Sequence, residues 1–155
     1  MSSQPNLKRA KIHDVKFGKN VTLVDPVNLY ECEIGDDVFV GPFVEIQRGA
    51  KIGKNSRIQS HSFICELVTI GENSFISHGV MFINDTFKDG KPSRDPKSWK
   101  TTKIGNHVSI GTNATILPVT VADHVVIGAG AVVTKDILKP GVYAGNPAKK
   151  IRDLK

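Results

Sequence analysis

Large apolar side chains return every sixth residue along the middle of the chain, at Ile34, Val40, Ile46, Ile52, Ile58, Ile64, Ile70, Ile76 and Phe82. Glycine follows several of them, as Gly35, Gly41, Gly53 and Gly71, and polar or small residues fill most of the remaining slots. Upstream, Val15, Val21 and Val27 keep the period one residue out of phase. Downstream, Ile104, Ile110 and Ile116 and then Val121, Ile127 and Val133 carry it on, with a phase change near Pro118. A period of six suits neither a helix at 3.6 nor a long flat strand at 2. It predicts a coil of very short strands separated by bends, with one aliphatic per strand directed at the axis. Smaller residues two positions before each anchor, namely Val38, Val44, Ala50, Ser56, Ser62, Val68 and Ser74, are predicted to point inward by strand alternation. No single turn of such a coil buries its own apolar face, so stability comes only from stacking. A β-sandwich would instead need hairpin turns at irregular spacing.

The rhythm stops after Phe82. Residues 84–103, NDTFKDGKPSRDPKSWKTTK, hold Gly90, Pro92 and Pro96 but no aliphatic side chain, which predicts an extruded loop. Its Phe87 and Trp99 both want an apolar seat, on this chain or on a neighbouring subunit, so the loop reads as functional rather than as a tolerated insertion.

The IGxxxxIG pattern, together with the ending NHVSIGTNATILPVTVADHVVIGAGAVVTKDILKPGVYAGNPAKKI, resembles the hexapeptide-repeat acyltransferases over nearly the whole chain. The resemblance implies an all-β, left-handed parallel β-helix with three hexads per turn, coils over about 15–83 and 104–138, and a short C-terminal tail or helix over 139–155, all in one domain. It also implies a homotrimer, acetyl-CoA as co-substrate in the groove between subunits, and a loop that walls this groove. The stretch from Val44 to Asp85 is similar to the branch that acetylates amines on nucleotide-linked sugars, especially 3-amino sugars. On that likeness Asn84 contacts the sugar amine and Glu66 contacts the acceptor. His61 falls where some members carry Asn.

The chemistry asked of such a site is modest. An amine attacking a thioester must be uncharged and aimed, and a sugar amine titrates below a lysine amine. Orientation and late removal of a proton therefore matter more than a strong base. Asn84 is suited to orientation. His61 and His78, 17 residues apart and so one short of a full turn, are the alternative proton acceptors, helped or restrained by Glu66. Asn84, His61 and Glu66 are thus the candidate catalytic residues, and His78, Phe82 and Arg48 join them as candidate acceptor contacts. Backbone N–H groups at Gly79 or at the Gly111 to Thr112 bend are candidates for the oxyanion. For CoA, the small residues Gly111, Thr112, Ala129 and Ala131 leave room for the pantetheine arm. Asn146 and Pro147 belong to the GNPAK motif, beside which the family places the nucleotide end, and Lys135, Lys149 and Lys150 are available to its phosphates.

Charge narrows the partners without choosing one. Twenty-one Lys and Arg against 15 Asp and Glu give +6, compatible with a polyphosphorylated small molecule, a nucleic acid or a membrane surface. Two Tyr and one Trp, without basic-aromatic interleaving, argue against nucleic acid. Arg48 and Arg94 are further candidates for a nucleotide sugar's phosphates. The polar, basic start MSSQPNLKRAK lacks a signal peptide's apolar core and no apolar run has spanning length, which predicts a cytosolic protein that binds no membrane. Cys32 and Cys65 sit in apolar stretches outside any CxxC pair and are expected to be buried free thiols. Rival readings are an acyltransferase for another amine or hydroxyl, a zinc hydratase drawing on His61, His78, His107 and His124, and a non-catalytic scaffold. The zinc reading lacks its expected HxxxxH pair, and no metal is expected.

Overall fold

The computed structural model describes residues 7–93 and 95–155, and the fold is a left-handed parallel β-solenoid of triangular section. Its first face stacks Ile12–His13, Asn28–Tyr30, Glu45–Ile46, Phe63–Ile64, Met81–Phe82, Thr115–Ile116 and Val132–Val133. The second face stacks Lys16–Phe17, Glu33–Ile34, Lys51–Ile52, Val68–Ile70, Thr102–Ile104 and Thr120–Val121. The third stacks Thr22–Leu23, Phe39–Val40, Arg57–Ile58, Phe75–Ile76, Ser109–Ile110, Val125–Ile127 and Gly141–Ala144, and Lys149–Arg152 closes it as an antiparallel strand. We call the bends between first and second faces the first corner, between second and third the second corner, and between third and first the third corner.

The hexad anchors fill the interior. Val40, Ile46, Ile58, Ile64, Ile76 and Phe82 are fully buried, and like residues stack in register, as Ile34 on Ile52 and Ile58 on Ile76. Each such aliphatic contributes roughly 1.5–3 kcal/mol by leaving water. The smaller inward residues are buried as well. Ser56 donates to the Gly71 carbonyl at 2.9 Å and accepts from the Ser74 N–H at 3.0 Å, so this inward hydroxyl is satisfied by the next coil.

Several expected boundaries move. Val15, Val21 and Val27 occupy the inward position two before an anchor, and the anchors of their coils are Phe17, Leu23 and Leu29. The phase change arises because the first corner is one residue shorter between Leu29 and Ile34. The loop ends at residue 101 rather than 103, since Thr102 takes the buried inward place that Val68 holds one coil below. The coil runs on through Gly141–Ala144, and the tail then forms a strand, not a helix, because Lys149–Arg152 pairs back onto Gly141–Ala144. Both cysteines are free and buried, and burial pushes their thiols up to about 11 for Cys32 and about 12 for Cys65. No helix among the described residues is long and apolar enough to cross a membrane.

Candidate active site

Because one coil takes 18 residues when all three hexads are complete, residues 18 apart lie above one another. At the first corner this stacks Arg48, Glu66 and Asn84 in successive coils, while Tyr30, one coil below Arg48, enters the shortened corner level with Gln47 because Leu29 is in register with Ile46. Arg48 donates from Nη2 to Glu66 Oε1 at 2.9 Å, and Glu66 is largely covered, its side chain 13% exposed. The carboxylate beside it raises the Arg48 pKa. One Glu66 oxygen is thus fixed by a charge-assisted bond, and the other is available to a ligand hydroxyl or amine.

Asn84 stands where the first corner of the next coil bursts open into the loop. It is half-buried, its backbone carbonyl accepts from the Lys100 N–H at 3.2 Å, and its side-chain amide makes no hydrogen bond among the described residues. The Lys100 bond clips the two ends of the loop together. Inside, Asp85 accepts from the N–H groups of Phe87 and Ser93, and Asp95 caps a single turn at Pro96–Ser98 by accepting from the Lys97 N–H at 3.0 Å. The folded loop forms an open cavity of about 580 Å³ bordered by Asp85, Lys88, Ser93 and Lys100. Phe87 is exposed, whereas Trp99 is half-buried and its indole N–H is buried without an acceptor among the described residues. That orphan donor is a feature sequence reasoning did not single out. The interrupted hexad near it was the only available signal.

The histidines expected nearby are elsewhere. His61 lies at the third corner with φ 63° and stacks on Phe43, ring centroids 4.9 Å apart. His78 is at the same corner one coil higher, so the two share an edge as their spacing suggested. His61 and Glu66 flank the strand Phe63–Ile64 at opposite edges of the first face, up to about 16 Å apart along the chain at about 3.3 Å per residue. Within one chain Glu66 therefore neither helps nor restrains His61. His107 and His124 stack at the second corner, with centroids 4.9 Å apart. No group of three or more His, Cys, Asp or Glu is placed to hold a metal ion among the described residues.

The expected CoA residues divide similarly. Gly111, Thr112 and Ala129 lie at the third corner above His61 and His78, and Asn146 and Pro147 form the bend that crowns it. Thr112 Oγ1 and Ser77 Oγ are 2.8 Å apart, locking that edge between coils. Two assignments fail on burial: Ala131 and Phe82 have no exposed surface, so both side chains belong to the core and cannot touch a ligand. The N–H groups of Gly79 and Gly111 already donate, to Ser60 and Ile127 carbonyls at 3.0 and 2.8 Å, leaving neither for an oxyanion. The Thr112 N–H has no acceptor among the described residues. Lys149 and Lys150 lie on the strand that closes the third face, while Lys135 follows Val132–Val133 at the first corner, so the three do not form one cluster. Lys150 is paired with Asp153 at 2.5 Å, which raises the lysine and lowers the carboxylate. Arg94 lies outside the described residues.

Comparison with known proteins agrees with this architecture. Residues 31–66 match the family described as bacterial transferase hexapeptide (six repeats), and residues 101–135 match the hexapeptide repeat of succinyl-transferase. The bifunctional protein GlmU of Clostridium acetobutylicum is 36% identical over 138 residues, covering 83% of this chain but 30% of its own. The chain spans about a third of the length of the GlmU proteins it matches. AntD, an N-acyltransferase from Bacillus cereus solved as a point mutant in complex with dTDP and coenzyme A, superposes with a TM-score of 0.79 at 24% identity over 90% of this chain and 83% of that one. The polySia specific acetyltransferase NeuO is 30% identical, with a TM-score of 0.55 over 90% of this chain and 70% of its own. Repeats, fold and this identity over most of a solved relative agree, and the chain belongs to the hexapeptide-repeat acyltransferase superfamily.

Proposed function

We propose that the protein transfers an acetyl group from acetyl-CoA to the amine of a nucleotide-linked amino sugar, a dTDP- or UDP-linked 3-amino hexose fitting best. The observation that carries this reading is the pairing at the first corner: an unengaged amide, Asn84, directly above a carboxylate that Arg48 holds in place. The Asn84 carbonyl accepts one amine N–H and aims the lone pair, and Glu66 holds a neighbouring sugar hydroxyl. The amine nitrogen bonds to the thioester carbonyl, the C–S bond then breaks, and the ammonium proton leaves with the thiolate as CoA thiol.

The acceptor column runs along the first corner and the CoA residues along the third, with the first face between them. A homotrimer with its first faces toward the threefold axis joins them, setting the third corner of one subunit against the first corner of the next. His61 and His78 of one copy then approach Asn84 and Glu66 of another, and either imidazole is available to the departing proton. Support comes from the outward residues. In the upper coils of the first face they include Phe63, Met81, Ile83 and Leu117, whereas the second face presents the ladder Lys16, Glu33, Lys51, Thr69 and Lys103 and suits solvent. Met81→Lys should release monomers, as read by light scattering on a sizing column.

The deciding assay is a screen of thymidine- and uridine-linked 3-amino and 4-amino sugars with acetyl-CoA, followed by thiol release. No release with any of them overturns the proposal. One rival is a hydroxyl acceptor, which requires a base. In that case His61→Gln abolishes transfer, whereas an amine acceptor leaves it within a few-fold.

A further inference from the structure

Below the Arg48 and Glu66 pair, the first corner ends in a second cavity of about 750 Å³, bordered by Lys8, Arg9, Lys11, His13, Asn28, Tyr30 and Glu31. Its volume lies within the range of small-molecule sites. The chain entering the first coil makes one wall, fixed by the Lys11 carbonyl accepting from the Leu29 N–H at 3.1 Å and the Lys11 N–H donating to Asn28 at 3.3 Å. His13 and Tyr30 are register partners, so two aromatic rings share the outward side of the same strand pair. Burial, followed by the carboxylates of Glu45 and Glu66, raises the Tyr30 pKa. No carboxylate pairs with Lys8, Arg9 or Lys11 among the described residues. Three cations thus face one lining carboxylate, Glu31, in a place where nothing in the solenoid needs them.

We infer that this cavity takes the nucleoside diphosphate half of the acceptor, a reading that rests on the nucleotide-linked acceptor proposed above. The solenoid acts as a ruler. Tyr30 lies three coils from Asn84, or about 14 Å at about 4.8 Å per coil. That is comparable with a nucleotide sugar extended from its base to its hexose. In this placement the base lies against Tyr30 or His13, where an aromatic face accepts any base by stacking. Glu31 accepts from ribose hydroxyls. Lys8, Arg9 and Lys11, with Arg48 above them, surround the diphosphate, which carries at least two negative charges and is recognised by such donors. The hexose then crosses Arg48 and Glu66, and its amine reaches Asn84. From the cavity to the loop, the first-corner edge presents aromatic, cation, carboxylate and amide in the order in which such a molecule presents base, diphosphate, hydroxyls and amine.

Coenzyme A also contains a diphosphate, and the test separates the two sources. UDP, dTDP and CoA are titrated calorimetrically into the wild-type protein, a Lys8→Ala/Arg9→Ala/Lys11→Ala variant, Tyr30→Ala, and Lys103→Ala as a basic-residue control on the second face. All three cations are exposed, so the triple variant is expected to fold, with circular dichroism as the check. The expected result is nucleoside diphosphate binding weakened at least about 10-fold in the triple variant and in Tyr30→Ala. CoA binding and the Lys103→Ala control stay within about 2-fold, and wild-type nucleotide binding weakens with added salt. Equal nucleotide affinity in wild type and triple variant overturns the inference, as does a loss confined to CoA. Turnover keeps the two proposals apart. Acetylation of a nucleotide sugar with unchanged KM in the triple variant removes the cavity and leaves the function. Nucleotide binding at the cavity without acetylation of any amino sugar removes the function and leaves the cavity.

Discussion

The first and second corners are built by the same backbone and filled by opposite rules. The second corner repeats one solution: Asn20, Asp37, Asn55, Asn73, His107 and His124 all take left-handed φ, between 54° and 56°. These are residue types that tolerate that conformation, and their side chains pair between coils, Asn55 to Asn73 at 2.7 Å and His107 against His124. Beside them the coils approach so closely that a Cβ on Gly53 or Gly71 would sit 2.5 Å from the backbone of the coil above. The first corner takes left-handed φ at residues that change from coil to coil, Asp14, Glu31, Gly49 and Leu67, carries Arg48, Glu66 and Asn84 in one column, and then opens into the loop. Where a corner needs only to turn, the sequence repeats; where it changes chemistry from coil to coil, something other than the turn is being served.

The sharpest way to test that contrast is to remove an amide from each corner. Asn84→Ala should lower the rate of acetyl transfer about 100-fold, the scale of losing one positioned hydrogen-bonding group. Asn73→Ala should leave the rate within about 2-fold, and equal losses would dissolve the distinction. The reverse holds for stability. Gly71→Ala should cost about 2 kcal/mol in a urea titration, because the added methyl meets backbone rather than a flexible side chain. An intermediate effect is expected at Arg48. Releasing Glu66 from its partner should raise the acceptor KM about 10-fold in Arg48→Ala while kcat changes little, with partial recovery in Arg48→Lys. Initial-rate kinetics with the acceptor varied would show this split.

The smallest effect concerns pH at the second corner. Asp123 accepts from the Asn106 N–H at 2.7 Å, which with the Asn106 amide holds its carboxyl below the ordinary 3.8. A folded value below the unfolded one means that stabilisation is present above about pH 4 and lost as pH falls through the folded value. Asp123→Asn should therefore melt slightly earlier than wild type at pH 6, and the gap should close toward about pH 2. A gap that widened on acidification would contradict the assigned bond. In the core, the raised thiols of Cys32 and Cys65 should resist alkylation at neutral pH until denaturant is added, as counted by mass spectrometry.

Much of this was legible one residue at a time. The anchors from Ile34 to Phe82 and the inward Ser56, Ser62 and Ser74 followed from period and alternation, because an interior of stacked like residues leaves no other place for them. The spacing of 18 between Arg48, Glu66 and Asn84 contained their column. Phe82 and Ala131 sit beside residues with chemical roles but at register positions that point inward, and burial there removes both from any ligand. The loop end at Thr102 escaped because a threonine in an inward slot looks like a loop residue until the coil below is placed beside it.

The sequence by itself determined the solenoid, the site of its interruption and the identity of the residues stacked where the hexads are complete, since those depend on a period displayed on both sides of the loop. Only the tertiary structure decided that His61 and Glu66 stand at opposite edges of one face and that Lys135 is apart from Lys149 and Lys150. It also decided that Arg48 holds Glu66 and that the entering chain closes a basic cavity over Tyr30. The physical reason is that a repeat fixes the distance between equivalent positions, whereas contacts between non-equivalent positions depend on corner geometry and on chain that has no repeat.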